Sequence, residues 1–343
     1  MLNFEYQNPT RIIFGRDTHK QVGERLKPLA KKVLLHYGGG SIKKNGIYSD
    51  IVASLKAAGV EYCELGGVVA NPRLSLVRQG VELCREQKVD FILAVGGGSV
   101  IDSAKAIGLG VPYAGDVWDF FSGKETPRAS LPIACVLTIP AAGSESSANA
   151  VVTDEVSGRK WATYCELSLP VFSIINPEFY ASLPPHQIAN GVCDMLCHIM
   201  ERYFTETPHT ELIDGLCEAA MKTIIRNGPR LLKDPGNYDI WSEIALAGTI
   251  AHNGWLGLGR QQEWAAHRIE HELSAQYDVA HGAGLAVVFP AWMKYLCDKH
   301  TGIFTQFAVN VMGVGGSLRE FSFIAHEGIA ALTKFFDEMG LPT

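Results

Sequence analysis

From Lys31 to about Pro177, short apolar runs alternate with stretches of helical character: KKVLLHY, Ser41 to Ala58, VEYCEL, Asn71 to Gln87, DFILAVGGGS, a helix after Ser99, PIACVLTIP and VFSIINP. Strand and helix in alternation predict βαβ units, and therefore a parallel sheet covered by helices on both faces. From Pro184 the pattern changes. QIANGVCDMLCHIMERYF, ELIDGLCEAAMKTIIRNGP and YDIWSEIALAGTIAHNGWLGLG carry apolar residues at three- and four-residue spacing without β-branched runs, which predicts amphipathic or buried helices. Asn176–Pro177 and Leu183–Pro185 break the chain between the two regimes. The expected organisation is an α/β dinucleotide-binding domain over 1–180 and an all-helical domain over 181–343. A chain of 343 residues suits two domains, because single cores stop growing beyond roughly 250 residues.

Composition narrows the function classes. Hydrophobic residues are 47% and charged residues 19%, the balance of a soluble globular chain and far from that of a disordered one. A net charge of -6 without a Lys/Arg-rich run gives no electrostatic footprint for nucleic acid or an anionic membrane. In the opening MLNFEYQNPTRIIFG, Glu5, Asn8 and Arg11 interrupt any apolar run, so neither a signal-peptide core nor a membrane span can be drawn there. Eight cysteines scattered through a large core read as reduced, mostly buried thiols, and a cytoplasmic location is expected.

Two strand-to-helix turns carry glycine clusters, Gly38 to Ser41 in LLHYGGGSIKK and Gly96 to Ser99 in FILAVGGGSVIDSAK. Glycine lets backbone amides approach a phosphate closely, and the helix that follows offers its positive end. Neither turn matches G-x-G-x-x-G, and each taken alone also reads as a steric requirement of a tight turn. Ser99 and Asp102 are expected in N-cap positions at the second. A third feature is LTIPAAGSESS, where Thr138, Ser144 and Ser147 follow a strand end. They read equally as cofactor hydrogen-bonding groups at the carboxyl end of the sheet and as a polar turn that satisfies its own backbone.

Asp194 and His198 lie four residues apart in a helical segment, one turn apart on the same face. Further on, EWAAHRIEHELSAQYDVAHGAGLA supplies His267, His271 and His281, so that three of the eleven histidines fall within fifteen residues. One carboxylate with several imidazoles suits Zn²⁺ or Fe²⁺ and is a poor set for Mg²⁺ or Ca²⁺, which take oxygen ligands. Cys193 and Cys197 flank the pair but are read as small buried hydrophobes and not as ligands.

GGGSIKK, AVGGGSVID, LTIPAAGSES, LPPHQIANGVCDMLCH, WAAHRIEHEL and AHGAGLAVVFPAW stand together in an order that resembles the iron-containing alcohol dehydrogenase family, most closely its butanol-dehydrogenase-like branch of bacterial aldehyde reductases. The resemblance runs from residue 1 to 343. It implies a dehydroquinate-synthase-like fold, with an N-terminal cofactor domain, a helical C-terminal domain and the active site in the cleft between them. Carried over position by position, the metal ligands fall on Asp194, His198, His267 and His281. The cofactor positions fall on Gly38, Gly39, Ser41, Asn71, Gly97, Gly98, Ser99, Asp102, Thr138, Ser147 and Lys160, the last placed by the resemblance alone. Relatives usually continue for several tens of residues past Leu341–Thr343.

The activity so implied is hydride transfer between a nicotinamide cofactor and a small, largely uncharged aldehyde or alcohol such as butanal or butanol, with Fe²⁺ or Zn²⁺ polarising the oxygen. His271, one turn from His267, reads equally as a proton relay and as a hydrogen-bonded core histidine. Relatives that prefer NADH commonly carry Asp at the position of Gly39; the glycine here, with Ser41, Lys43 and Lys44 beside it, points to NADP(H). A homodimer is expected, with FEYQNPTRIIFG at its interface. A glycerol or glycerol-phosphate dehydrogenase, or a dehydroquinate-synthase-like lyase, would share the fold. The phosphate- and carboxylate-handling rivals would need extra Lys/Arg in the cleft, and a non-catalytic nucleotide-binding module would leave the Asp/His set idle.

Overall fold

Six strands pair in the order β1-β8-β5-β4-β2-β3, every neighbouring pair parallel. They are β1 (Arg11–Phe14), β2 (Lys32–Gly38), β3 (Glu61–Val68), β4 (Phe91–Gly96), β5 (Ile133–Leu137) and β8 (Phe172–Ile175). A separate antiparallel hairpin joins β6 (Asn149–Asp154) to β7 (Arg159–Tyr164). The computed structural model describes residues 1–316 and 319–343.

The apolar runs become strands because both sheet faces are covered. Val33, Leu35, Phe91, Leu93, Val95, Val136 and Ile174 pack on one face against Ile47, Ile51 and Leu55. Their neighbours Leu34, Ile92, Ala94 and Cys135, which point to the other face, are just as deeply buried. The helices of this part are α1 (Val22–Leu26), α2 (Ser41–Lys44), α3 (Ile47–Ala58), α4 (Leu74–Gln87), α5 (Gly98–Gly110) and α6 (Trp118–Phe121). The stretch Ser41 to Ala58 is thus two helices, parted at Gly46, whose φ of 87° takes it out of the helical region.

The strand order places the two glycine turns. From β2 the chain moves outward to β3, then returns across β2 to β4, so that β2 and β4 are neighbours at which the winding reverses. The crevice at the carboxyl ends of such a pair is where open α/β sheets receive ligands. Gly38–Ser41 leaves β2 there and Gly96–Ser99 leaves β4.

The second part is helical, with α7 (Pro185–Tyr203), α8 (Glu211–Lys233), α9 (Tyr238–His252), α10 (Ala265–Tyr277), α11 (His281–Leu296), α12 (Thr301–Asn310) and α13 (Phe321–Glu338). Pro185 sits at the first turn of α7, where its missing N–H costs nothing, and nearly every residue from Ile188 to Tyr203 is buried. Compactness divides the chain into Asn8–Pro140 with Ser144–Phe179, and Met1–Gln7 with Ala141–Gly143 and Tyr180–Thr343. The opening seven residues therefore belong with the helices, tied by Leu2 N–H to the Gly259 carbonyl at 2.7 Å and by the Tyr6 hydroxyl to the Asn253 carbonyl at 3.0 Å. Only Arg11–Phe14 of FEYQNPTRIIFG is strand.

Candidate metal and cofactor sites

Asp194 and His198 stand one turn apart on α7, both buried. The His198 Nδ1 lies 2.9 Å from the Asp194 carbonyl oxygen and 2.9 Å from its Oδ1, which leaves Nε2 as the nitrogen open to a ligand. His267 is on the first turns of α10 and His281 is the first residue of α11. Asp278, with φ 53°, ends α10 and turns the chain back, so that the two histidines meet. Donor atoms of Asp194, His267 and His281 lie within 4.8 Å of one another, with His281 Nε2 3.7 Å from Asp194 Oδ1. The His198 ring centroid is 4.6 Å from that of His267. Donor groups of Asp194, His267 and His281, from three helices, therefore converge, with the His198 ring against that of His267.

The glycines after His281 have a packing role. A Cβ on Gly282 would fall 2.2 Å from the Asn190 carbonyl oxygen of α7, and one on Gly284 would fall 2.7 Å from Glu270 Oε1 of α10. Only glycine lets the start of α11 sit this close to both helices.

Each of two histidines is oriented by a carboxylate that sequence reasoning missed. Glu201 Oε1 lies 2.7 Å from His267 Nδ1 and also accepts the His267 backbone N–H at 3.0 Å. Glu270 pairs with His281 Nδ1 through Oε2, while Ser274 donates its hydroxyl to Oε1. With the Nδ1 proton held by an acid, Nε2 is left as a lone pair, the arrangement that second-layer carboxylates give metal-binding histidines. Burial and the neighbouring imidazoles of His198 and His281 hold His267 well below its ordinary pKa of 6.5, so it stays neutral. Burial pushes Glu201 up to about 8. The only signal for either acid was its spacing: Glu201 is three residues past His198, and Glu270 three past His267.

A test of fit for a metal comes from His267 itself, whose Nε2 is fully buried and has no hydrogen-bond partner. An unpaired buried imidazole nitrogen is costly unless something occupies its lone pair. Beside it stand a carboxylate and two further imidazoles, the donor chemistry of Fe²⁺ or Zn²⁺. Trp264 walls the set, its ring centroid 5.1 Å from His267 and 5.8 Å from His198. Arg202 lies close by and is committed to the protein: it donates to the His198 carbonyl at 2.5 Å and to His252 Nδ1 at 2.8 Å, and lies 4.7 Å over the Trp264 ring. His271 is half-buried on α10, its ring 5.4 Å from that of His281.

The cofactor positions form a second group around the β2 and β4 ends. Gly38, Gly39 and Ser41 make the first turn, where Gly40 is the N-cap of α2 with φ 102°. No atom lies within 4 Å of where a Cβ on Gly39 would stand. Lys43 has partners within the protein: its Nζ lies 3.5 Å from Glu64 Oε2 and sits over the Tyr37 and Tyr48 rings at 4.9 and 4.7 Å. Lys44 is exposed. At the second turn the expected capping is corrected. The N-cap of α5 is Gly97, Gly98 and Ser99 open the helix, and Asp102 lies in its second turn. Asp102 faces the β5–β6 connection instead, accepting the Val151 N–H at 3.0 Å and the Ser144 hydroxyl.

That connection is held by a residue the sequence reading passed over. Lys105 is fully buried, and its ammonium donates to the carbonyls of Ser144, Ser147 and Asn149 at 2.7, 2.8 and 2.7 Å. So Ser144 and Ser147 are neither a self-satisfied turn nor loose side chains; their backbone is fixed by a charge from α5. Thr138 bonds through its N–H to the Gly96 carbonyl at 3.0 Å, which sets it beside the second turn. Asn71, buried with φ 53°, precedes α4, and Lys160 is buried on β7 opposite Thr153.

Residues 9–177 match the family described as iron-containing alcohol dehydrogenase, and residues 188–343 the Fe-containing alcohol dehydrogenase family, C-terminal. The chain is 44% identical over 343 residues to a probable NADH-dependent butanol dehydrogenase 2 of Bacillus subtilis (strain 168), covering 100% of this chain and 88% of the relative. It is 38% identical over 347 residues to the NADPH-dependent aldehyde reductase YqhD of Escherichia coli (strain K12), again covering 100% and 88%. Among solved structures, NADH-dependent butanol dehydrogenase A from Thermotoga maritima superposes with a TM-score of 0.97 at 44% identity, over 100% of this chain and 86% of that one. Matched over both its parts, the chain belongs to the iron-containing, group III alcohol dehydrogenase family, in its butanol-dehydrogenase-like branch.

Proposed function

We propose that the chain works as an NADPH-linked aldehyde reductase on small, largely uncharged aliphatic aldehydes such as butanal, with the reverse oxidation of the alcohol. The observation that carries this reading is the set of Asp194, His198, His267 and His281, with an orphaned Nε2 on His267 and carboxylates behind two of the imidazoles. These four residues would hold one divalent ion, Fe²⁺ or Zn²⁺. When bound, the ion supplies Lewis acidity and the reduced nicotinamide supplies the hydride. Glu201 and Glu270 keep the ligand nitrogens aimed, and Trp264 excludes water from one side of the set.

His271 is proposed as the group that passes a proton to the product oxygen. It is half-buried, stands next to His281, and its other neighbour in the donor cluster is Glu270. Small uncharged substrates are supported by the commitment of Arg202, the guanidinium packed over Trp264, to the His198 carbonyl and to His252.

The cofactor reading rests on the first glycine turn. Gly39, Gly38 and Ser41 offer backbone amides and a hydroxyl where an acid would repel a 2′-phosphate, and Glu64 on the neighbouring strand is occupied by the Tyr37 and Tyr48 hydroxyls and by Lys43. Gly97, Gly98 and Ser99 at the start of α5 would take the pyrophosphate. Asn71, Asp102, Thr138, Ser147 and Lys160 complete the proposed cradle.

A homodimer and a cytoplasmic location are part of the same proposal. β1 is an edge strand, bonded to β8 on one side, and its Phe14 is exposed; Met1, Leu2 and Phe4 of the opening segment are also exposed apolar residues. Among the described residues no helix is long and apolar enough to cross a membrane. Metal analysis of purified protein, with NADPH oxidation followed on butanal, tests the reading. One Fe²⁺ or Zn²⁺ per chain and butanal-dependent oxidation support it; a metal-free protein inert toward aldehydes overturns it. Light scattering that returns a monomer mass at micromolar concentration would remove the dimer.

A further inference from the structure

At the far end of α11 from His281, a second group of potential ligands assembles. Cys297 follows the last residue of the helix, Asp298 comes next, and His326 is supplied by α13. Donor atoms of the three lie within 4.8 Å of one another. Cys297 is buried, and the side chains of Asp298 and His326 are 76% and 46% exposed. None of them belongs to the set around His267, and α11 separates the two groups by roughly 24 Å along its axis.

We propose that Cys297, Asp298 and His326 form a second metal site, for a thiophilic divalent cation of the Zn²⁺ class. One thiolate, one imidazole and one carboxylate make the mixed donor set that Zn²⁺ and Co²⁺ accept and that Mg²⁺ and Ca²⁺ do not. The polar partners are already in register: His326 Nε2 and Asp298 Oδ1 are 3.2 Å apart, sharing a proton where an ion would sit. The ion takes the place of that shared proton, which His326 then carries on Nδ1 as the other neutral tautomer, and displaces the proton of the Cys297 thiol, which goes to solvent as the sulfur becomes a bound thiolate; no electron moves. The buried sulfur gives the ion a floor, and the exposed side chains leave its fourth position to water, so the site is open on the surface.

The consequence is mechanical. The first residue of α11 is the proposed ligand His281, and the second ion would staple the other end of the same helix to α13. A cation bound there at free concentration c raises the stability of the helical part by RT ln(1 + c/Kd), without adding a reacting group.

Co²⁺ titration distinguishes this site from the first, because only a thiolate ligand gives the near-ultraviolet sulfur-to-cobalt charge-transfer band, and the Asp/His set contains none. The wild-type chain should develop that band to saturation at one thiolate per chain and bind one more Zn²⁺ per chain than Cys297→Ser in equilibrium dialysis. Cys297→Ser should lose the band entirely. The surface variants Asp298→Asn and His326→Ala, which leave the core untouched, should each weaken binding at least tenfold, while butanal reduction stays within twofold of wild type. The proposal is overturned if the wild type shows no such band, or if the band survives in Cys297→Ser, which would assign it to Cys193 and Cys197. These readings do not depend on whether the Asp/His set is the catalytic centre.

Discussion

The Nδ1 of His267 lies 2.7 Å from Oε1 of Glu201, on a different helix and 66 positions away in the chain. The contact decides which ring nitrogen carries the proton. It leaves Nε2 bare and buried among Asp194, His198 and His281, and a similar contact from Glu270 does the same for His281.

Removing a ligand should therefore remove the ion and the reaction together. His267→Ala and His281→Ala are expected to lower metal content to background and butanal reduction by about 10³-fold or more, since the ion's share of the barrier is several kcal/mol. Secondary structure should be retained. Variants that keep one metal per chain and near-normal turnover would show that the ligands lie elsewhere.

The carboxylates behind the ligands should matter nearly as much. Glu270→Gln, which keeps the size of the side chain but not its charge, is predicted to weaken metal affinity by about 10- to 100-fold, as is usual for such supporting acids. Competition with a chelator of known affinity measures this. An unchanged affinity would make the Glu270–His281 pair a packing feature only.

Cofactor choice should turn on Gly39. Open space surrounds its Cβ position and its φ is not positive, so aspartate fits there without distortion. Wild type is predicted to prefer NADPH over NADH by about tenfold or more in kcat/KM, equivalent to about 1.4 kcal/mol. Gly39→Asp should shrink or reverse that ratio through repulsion of the 2′-phosphate. Equal use of both cofactors by wild type, or no change on substitution, would show that this turn does not read the ribose. The named relatives include both NADH- and NADPH-dependent enzymes, so this ratio is a property of the chain to be measured.

A fourth expectation concerns stability. His36 is fully buried on β2, its Nδ1 donating to the Leu65 carbonyl at 2.8 Å and its Nε2 2.9 Å from the Ser103 hydroxyl. Burial holds its pKa down to about 4 against an ordinary 6.5. The folded state thus refuses a proton that the unfolded chain accepts, so the stability it contributes is complete above about pH 6.5 and is lost as pH falls toward 4, roughly 3 kcal/mol in all. Urea unfolding at pH 7 and pH 4.5 should show a larger loss for wild type than for His36→Gln. Equal losses would assign the acid sensitivity to other groups.

How far the sequence could be read depended on the range of the interaction. The alternation of VLLHYGGG and ILAVGGGS with helical stretches announced a parallel sheet, because period and turn chemistry are local. The α7 pair Asp194 and His198 was visible for the same reason. The β6–β7 hairpin was not foreseen: its strands carry no strong apolar run, and the connection leading into it is held by Lys105, whose partners lie about forty residues away. Asp102 was misplaced as a cap because its real partners, Val151 and Ser144, are more than forty residues away. Glu201 and Glu270 carry no local signal beyond their three-residue spacing from His198 and His267, and only the fold buries them. Each missed side chain is a buried ionisable group whose partner the linear pattern cannot name.

The central claim is that Asp194, His198, His267 and His281 hold an ion on which aldehyde reduction depends. Its most direct test is the initial rate of NADPH oxidation with butanal for protein stripped by a chelator and then resupplied with Fe²⁺ or Zn²⁺. The account predicts a rate that falls to background on stripping and returns as one equivalent per chain is restored. Full activity in the metal-free protein would contradict it.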